Sequence, residues 1–274
     1  MDTRQATSVN EAASTARREP AVAGLFYPGD PALLRSEVER LLHAGPVPPG
    51  PAPKVLIVPH AGYPYSGPVA ASAYRRLRPR HGGIERVLLL GPAHRVWLAG
   101  MALPSVSHFA TPLGEIPIDQ VAWAEARPLP GVIVSDEAHR LEHSLEVQLP
   151  FLQVALGEFA LLPVVVGDCP PQDLGRLIDR LWGGDETLIV VSSDLSHYRP
   201  YADARRVDAH TSERILHKAD DLSPEEACGA AAINGLMASR HARALSVELL
   251  DLRNSGDTAG DRSRVVGYGA YGLH

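Results

Sequence analysis

The sequence predicts a single α/β domain built on a mostly parallel central β-sheet flanked by helices. Three observations predict it. Short apolar runs bounded by breakers recur: KVLIVP over 54–59, RVLLLG over 86–91, FALLPVVVG over 159–167 and TLIVVSSD over 187–194. Runs of that length and composition are strands buried on both faces, as in parallel sheets. Helical patterns alternate with them, the order expected when helices cover both sides of one sheet. The length, 274 residues, suits one large α/β domain. A chain of this size buries roughly three quarters of its unfolded surface, so the core needs neither disulfide nor metal for stability.

Each element follows from its local chemistry. Residues 1–19 are polar, rich in Ser, Thr and Ala and without an apolar h-region. They are expected to be a disordered leader, with the domain running over 20–274. After the Pro28-Gly29 turn, Asp30 is an N-cap and Pro31 occupies the first helical position. Leu34, Val38, Leu41 and Leu42 recur at helical spacing and predict a helix over 31–43. GPVPPGPAP over 45–53 is a connector. The first buried strand follows, and Gly67-Pro68 opens a helix through Ala73 and Leu77. A short helix is predicted over 119–126, and another over 144–156, disturbed at Pro150. PQDLGRLIDRLW is the crossover helix between the strands at 159–167 and 187–194. A long helix is expected over 202–218. Ser223-Pro224-Glu225-Glu226 reads as a capping box that starts a helix, and a further helix is expected over about 234–252. RVVGYGAYGL closes the chain as a Gly-rich strand. No internal repeat is evident, and sheet order does not follow from this pattern.

The bulk numbers exclude several functions. A net charge of −6, from 26 basic and 32 acidic residues, leaves no electrostatic footprint for nucleic acid or acidic membranes. No apolar run approaches the ~20 residues of a membrane span. Two cysteines, Cys169 and Cys228, make no disulfide framework, so a cytoplasmic location is expected. There is no phosphate-binding glycine loop, no dinucleotide fingerprint, no HExxH and no GxSxG.

Histidine is the unusual component, with 12 in the chain. Ligand sites in parallel sheets gather at the carboxyl ends of strands. The strand at 54–59 runs into His60, that at 86–91 into His94, and that at 187–194 into His197. One such histidine is as readily a loop residue with ordinary hydrogen bonds. Three at corresponding places point to a metal or acid–base pocket, because neutral imidazole serves both chemistries. His143, in Glu142-His143-Ser144, stands at a helix start and either faces water with Glu142 or enters the same pocket. Asp194 is a cap, or a carboxylate that orients a neighbouring histidine. By its residue type alone, Cys228 is a small buried hydrophobe. The other histidines, His139 included, read as solvated.

The stretches PAVAGLFYPGD, VPHAGYPYSGPVAASAY, LLLGPAHRV, TPLGEIPID, EHSLEVQLPFLQ, PVVVGD, VVSSDLSHY, CGAAAINGLM and VVGYGAYG run in order from about residue 20 to the end. The sequence thereby resembles the Memo-like family, whose bacterial members are the B component of the AmmeMemoRadiSam system. The resemblance implies a fold similar to class III extradiol dioxygenases, which use non-haem iron(II). It implies metal ligands at His60, His94 and Cys228, with His143, Asp194 and His197 around the same pocket; in an enzyme, His143 and His197 would act as acid–base groups and Asp194 would orient one of them. One iron or copper ion per chain is the cofactor that this donor set suits, more than magnesium or calcium. A thiolate in place of the dioxygenases' carboxylate is a departure, so dioxygenase activity does not follow from the fold. Radical-SAM and AmmeCR-like proteins, and a small-molecule or peptide ligand, are the implied partners. Two readings result: a metal-dependent oxidoreductase, or a non-catalytic metal-binding or interaction module.

Overall fold

Four of the apolar runs lie side by side as parallel strands. The structure, a computed structural model, describes residues 16–47 and 50–274. Its strands are β1 (Arg17–Arg18), β2 (Val55–Val58), β3 (Arg86–Pro92), β4 (Met101–Leu103), β5 (His108–Thr111), β6 (Gly114–Pro117), β7 (Val132–Val134), β8 (Ala160–Val166), β9 (Thr187–Ser192), β10 (Val247–Asn254) and β11 (Gly267–Leu273). The main sheet has eight strands in the order β10-β11-β2-β9-β3-β8-β4-β7. Its centre, β2-β9-β3-β8, is parallel throughout. β11 and β10 extend one side antiparallel; β4 joins the other side antiparallel to β8, followed by β7 parallel to β4. The sheet is therefore mixed at its margins and parallel where it is most buried.

Helices α1 (Pro31–His43), α2 (Tyr63–Tyr74), α3 (Gln120–Ala126), α4 (Asp136–Arg140), α5 (His143–Glu146), α6 (Leu149–Leu156), α7 (Pro171–Arg180), α8 (Tyr201–Leu216), α9 (Ala230–Ala238) and α10 (Arg240–Ala244) flank it. Strand residues alternate between two cores, as the two-residue period of a strand demands. Leu56, Val58, Val87 and Leu89 pack with α1, α2 and α6, while Val55, Ile57, Leu88 and Leu90 pack with α7 and α9. Asp30 caps α1 by accepting the Leu33 amide, as expected.

Several expectations are corrected. The helix expected over 234–252 is two short helices and a strand. Ser239 ends α9 and caps α10 through the Ala242 amide, and 247–254 pairs with β11 because its half-exposed residues fit an edge strand. The capping box holds a turn instead of a helix: Glu226 accepts the Ser223 amide at 2.9 Å, but α9 starts only at Ala230. The segment over 144–156 is broken, and Pro150 sits in the first turn of α6. Strands β4 to β7 were not expected.

Of the leader expected over 1–19, residues 1–15 lie outside the described residues. Its last part belongs to the fold. β1 pairs with β5, and β5 with β6, in a second, three-stranded sheet. Arg18 is buried: its guanidinium pairs with Glu146 and donates to the carbonyls of Glu142 (2.6 Å) and His139 (3.1 Å). A buried arginine persists only with such partners, and a sequence window around residue 18 holds none of them.

Candidate metal centre

The parallel centre of the sheet sends three chain segments out along one edge. His60 stands two residues beyond β2, His94 two beyond β3 and Asp194 two beyond β9. α5 lies across the end of β3. At Gly91 an added Cβ would stand 2.8 Å from both Ser144 Oγ and Leu145 Cδ2. Only a glycine lets α5 come so close, and this approach brings His143 beside His94.

The structure brings His60, His94 and His143 together. Each offers one nitrogen, and the three atoms lie within 4.8 Å of one another. The His94 and His143 rings stack at 4.8 Å, and His60 meets them edge-on at 5.2 and 5.5 Å. Phe26 closes the outer side, edge-on to His143 at 4.9 Å.

Hydrogen-bond bookkeeping fixes the protons on two of these rings. The Ser192 hydroxyl donates its only proton to the Ser144 carbonyl (2.6 Å). It accepts from Gln148 Nε2 (2.7 Å), whose own orientation is set by the Pro59 carbonyl (2.9 Å) and the Tyr74 hydroxyl (2.8 Å). His60 Nδ1, 2.9 Å from the same hydroxyl, must therefore be the donor, which leaves Nε2 as a bare lone pair. His94 Nδ1 faces Glu142 Oε1 at 3.0 Å. An ionised carboxylate only accepts, so here too Nδ1 carries the proton and Nε2 is free.

Glu142 is thus the organising carboxylate. It is buried, accepts the amides of His94 (2.6 Å) and Ser144 (2.9 Å), and lies 3.4 Å from His143 Nδ1 without a hydrogen bond. Burial alone would raise its pKa; the bond from His94 and these amides outweigh burial and hold it at about 2. Burial and the neighbouring imidazoles push His60 well below its ordinary value. Burial pulls His143 down to about 4 against the pull of Glu142. Metal-binding histidines commonly carry a carboxylate or hydroxyl on their second nitrogen.

The other expected residues stand at varied distances. Cys228 Sγ is 3.4 Å from His60 Nε2 and accepts the Asp194 amide at 3.2 Å. Burial, then the charge of Asp194, pushes this thiol far above its ordinary pKa. Gly229 permits that position, since a Cβ there would stand 2.8 Å from the Ser192 carbonyl oxygen. Asp194 is buried, and burial raises it to about 7 against the His60 and Ala61 amides. Its Oδ1 accepts the main-chain amide of His60 at 2.8 Å, so it shapes the turn after β2 and orients no imidazole. His197 lies outside the three-imidazole group and packs against Tyr198, whose φ is +57°.

Sequence reasoning missed Glu142, Ser192 and Gln148 as members of the site. Glu142 left one signal, its place directly before a helix start, where its side chain accepts the Ser144 amide. His139, read as solvated, is buried and donates from Nε2 to the Ala102 carbonyl at 3.0 Å.

The chain is similar to several known proteins. The family model described as Memo-like protein matches residues 18–271. A MEMO1 family protein of Aquifex aeolicus is 38% identical over 267 residues, which covers 92% of this chain and 97% of the relative. A MEMO1 family protein of Sulfolobus acidocaldarius is 35% identical over 276 residues, with the same coverage of both chains. A crystal structure of an uncharacterized Escherichia coli K12 protein overlaps at a TM-score of 0.48 and 14% identity, over 79% of this chain and 98% of that one. That likeness is too remote to bear on function. A match of such extent, joined to relatives aligned almost end to end, means that the chain belongs to the Memo-like family.

Proposed function

We propose that this protein binds one transition-metal ion, iron or copper, between His60, His94 and His143, with Cys228 as a further donor, and uses it in redox chemistry on a small molecule. The observation that carries the proposal is the three imidazole nitrogens within 4.8 Å. The donor set fits such an ion. His60 and His94 each turn a lone pair away from a proton-holding partner, and His143 Nδ1 is buried without a hydrogen bond. On one tetrahedral ion, a nitrogen at ~2.1 Å and a sulfur at ~2.3 Å sit about 3.6 Å apart. His60 Nε2 and Cys228 Sγ are 3.4 Å apart. Imidazole and thiolate select iron, copper or zinc over magnesium or calcium.

A bound iron or copper ion supplies one-electron chemistry and Lewis acidity. The chain's own residues do the rest. Glu142 and Ser192 hold two rings in the ligating tautomer. Phe26 shields one side of the cluster. A cavity of about 370 Å³, bounded by Trp97, Leu98, Ala231 and Cys228, gives a small molecule room beside the thiol.

A second reading, a sequestering or interaction module working with radical-SAM and AmmeCR-like partners, is favoured by the count of donors. Four protein ligands would leave a tetrahedral ion no open position. One experiment addresses both readings. Anaerobically purified protein, reconstituted with iron or copper, is analysed for metal beside His60→Ala, His94→Ala, His143→Ala and Cys228→Ser, with oxygen uptake as the activity readout. About one ion per chain, lost in His60→Ala and His94→Ala, is expected. If His143→Ala empties the site and Cys228→Ser does not, the imidazoles are the ligand set; the reverse favours the thiolate. No metal in the parent after reconstitution overturns the proposal. Metal without oxygen uptake or substrate turnover favours the second reading.

A further inference from the structure

The carboxyl ends of β3 and β8 border a cavity of about 370 Å³, lined there by Pro92 and Val166. The two strands are parallel neighbours, so the chain segments that leave them emerge side by side. The segment after β3 folds back against the end of β8. The Ala93 amide donates to the Val166 carbonyl at 3.0 Å, the Asp168 amide to the Leu98 carbonyl at 2.8 Å and the Gly100 amide to the Asp168 carbonyl at 2.7 Å. Gly167 admits this approach, since a Cβ there would run into the Leu98 carbonyl oxygen. Trp97 and Asp168 thereby line one cavity. The first turn of α9 lines it too, through Ala230, Ala231 and Ala232, whose small side chains leave the space open, and Cys228 stands just before them.

The charge on this lining has one sign. Asp168 is its one charged residue, and the other side chains are apolar apart from the Cys228 thiol. Asp168 is exposed and forms no ion pair among the described residues. Arg176, whose charge reaches the neighbouring Cys169, is held by Asp173. Trp97 is 83% exposed, and indole is the aromatic ring that attracts a cation most strongly over its face. A carboxylate and an indole on an otherwise apolar wall complement a cation that carries a hydrocarbon body. An anion would meet the charge of Asp168 with no basic group to offset it, and a neutral molecule would use neither group.

We propose that this cavity binds a small organic amine in its ammonium form, with the charge held by Asp168 and Trp97 and the hydrocarbon part lying along the alanines of α9. Its volume is at the small end of the roughly 300–1,000 Å³ of ligand cavities, which suits a small molecule. The inference rests on the reading of the metal centre in one respect: with Cys228 as a metal donor, the amine is the substrate of that centre. Binding of the amine itself needs no metal.

The test titrates the metal-free full chain at neutral pH with butylammonium, butanol and butyrate, which share a hydrocarbon chain and differ in charge. Affinities are read from backbone amide shifts in a nitrogen–proton correlation spectrum, and the Trp97 indole signal should move with them. Butylammonium should bind at least about fivefold more tightly than butanol, from an exposed ion pair and a cation–π contact together. Asp168→Asn and Trp97→Ala should each shrink that preference, and the double variant should abolish it. Ala231→Leu, a larger side chain at a half-buried position, should fill the cavity and block the amine. With no metal present, a failure of amine binding leaves the metal centre standing, and a failure of metal loading leaves the amine site standing. Equal affinity for butylammonium and butanol overturns the proposal, as does tighter binding of butyrate, or a preference for the amine that survives the double variant.

Discussion

Replacing Arg18 by Met should destabilise the protein far more than the same change one residue earlier. Arg17 and Arg18 are adjacent and equally charged, but Arg17 is half exposed and pairs with Glu19 and Glu115. The Arg18 side chain is 5% exposed and the Glu146 side chain 0%. Breaking a buried pair from one side costs about 3–5 kcal/mol. Glu146 keeps the amides of Ala21 (2.8 Å) and Val22 (3.0 Å) and the Tyr27 hydroxyl (2.5 Å), so its charge is not abandoned. The lower end, ~3 kcal/mol, is therefore expected. At about 2–4 °C per kcal/mol in a chain of this size class, that is a fall of ~6–12 °C in Tm. Arg17→Met removes two exposed pairs that share one side chain and together contribute about 0–1 kcal/mol, so Tm should shift by no more than about 4 °C. Calorimetry of both variants, with Glu146→Gln and the double variant Arg18→Met/Glu146→Gln, completes a cycle whose coupling should exceed about 1 kcal/mol. Equal shifts for the two arginine variants would refute the reasoning and return residues 16–19 to the status of a leader.

Four further outcomes are expected. Ser192→Ala frees the proton on His60, and metal affinity should drop about 10–100-fold with the far-ultraviolet spectrum unchanged; isothermal titration under anaerobic conditions reads this. Glu142→Gln should weaken metal binding over the same ~10–100-fold range, because an amide no longer fixes the His94 tautomer by charge, and an unaltered affinity would remove Glu142 from the site. Gly91→Ala should destabilise by ~1–3 kcal/mol in urea unfolding, the usual cost of overpacking, since its Cβ would press on Ser144 and Leu145. Burial holds His139 down at about 4 from an ordinary 6.5, so neutral His139 contributes stability that is full above pH 6.5 and lost as pH falls through 4. The contribution is ~3 kcal/mol. His139→Gln in metal-free protein should flatten the stability slope between pH 6.5 and 4, and parallel slopes would show that His139 does not carry it.

The parallel centre of the fold was legible because it is made of the most local signal there is. Val55–Val58 and Leu188–Val191 are apolar without interruption, and a run that short, buried on both faces, reads as a strand. The margins were not legible. β10 reads VELLDLRN, whose leucines suit a helix as well as a strand, and only its pairing with Gly-rich β11 decides. β4 and β7 are three residues each, too short for any periodicity. Arg18 was assigned to a leader because its partners, Glu142 and Glu146, lie 124 and 128 residues away along the chain.

The same distinction separates the legible half of the site from the rest. His60 and His94 follow strands whose ends a reader can find, so their convergence was predictable from the rule about carboxyl edges. Their protonation was not, because it depends on a chain of donors that no local window contains. Tyr74 orients Gln148, Gln148 saturates Ser192, and Ser192 assigns the proton of His60. Each link is an ordinary polar residue whose role exists only once three separate elements meet. The ambiguity between His143 and Cys228 has the same origin. Gly91 and Gly229 admit the two side chains beside His60 by close approaches of backbone to neighbouring atoms. Both glycines are visible in the sequence, as is the motif around each. What they make room for is a property of the packed ends of β3 and β9. A change at either glycine should therefore alter metal binding through position alone, with every donor side chain still present: Gly229→Ala should weaken it as Cys228→Ser does if the thiol is a ligand, and leave it intact if the three imidazoles suffice.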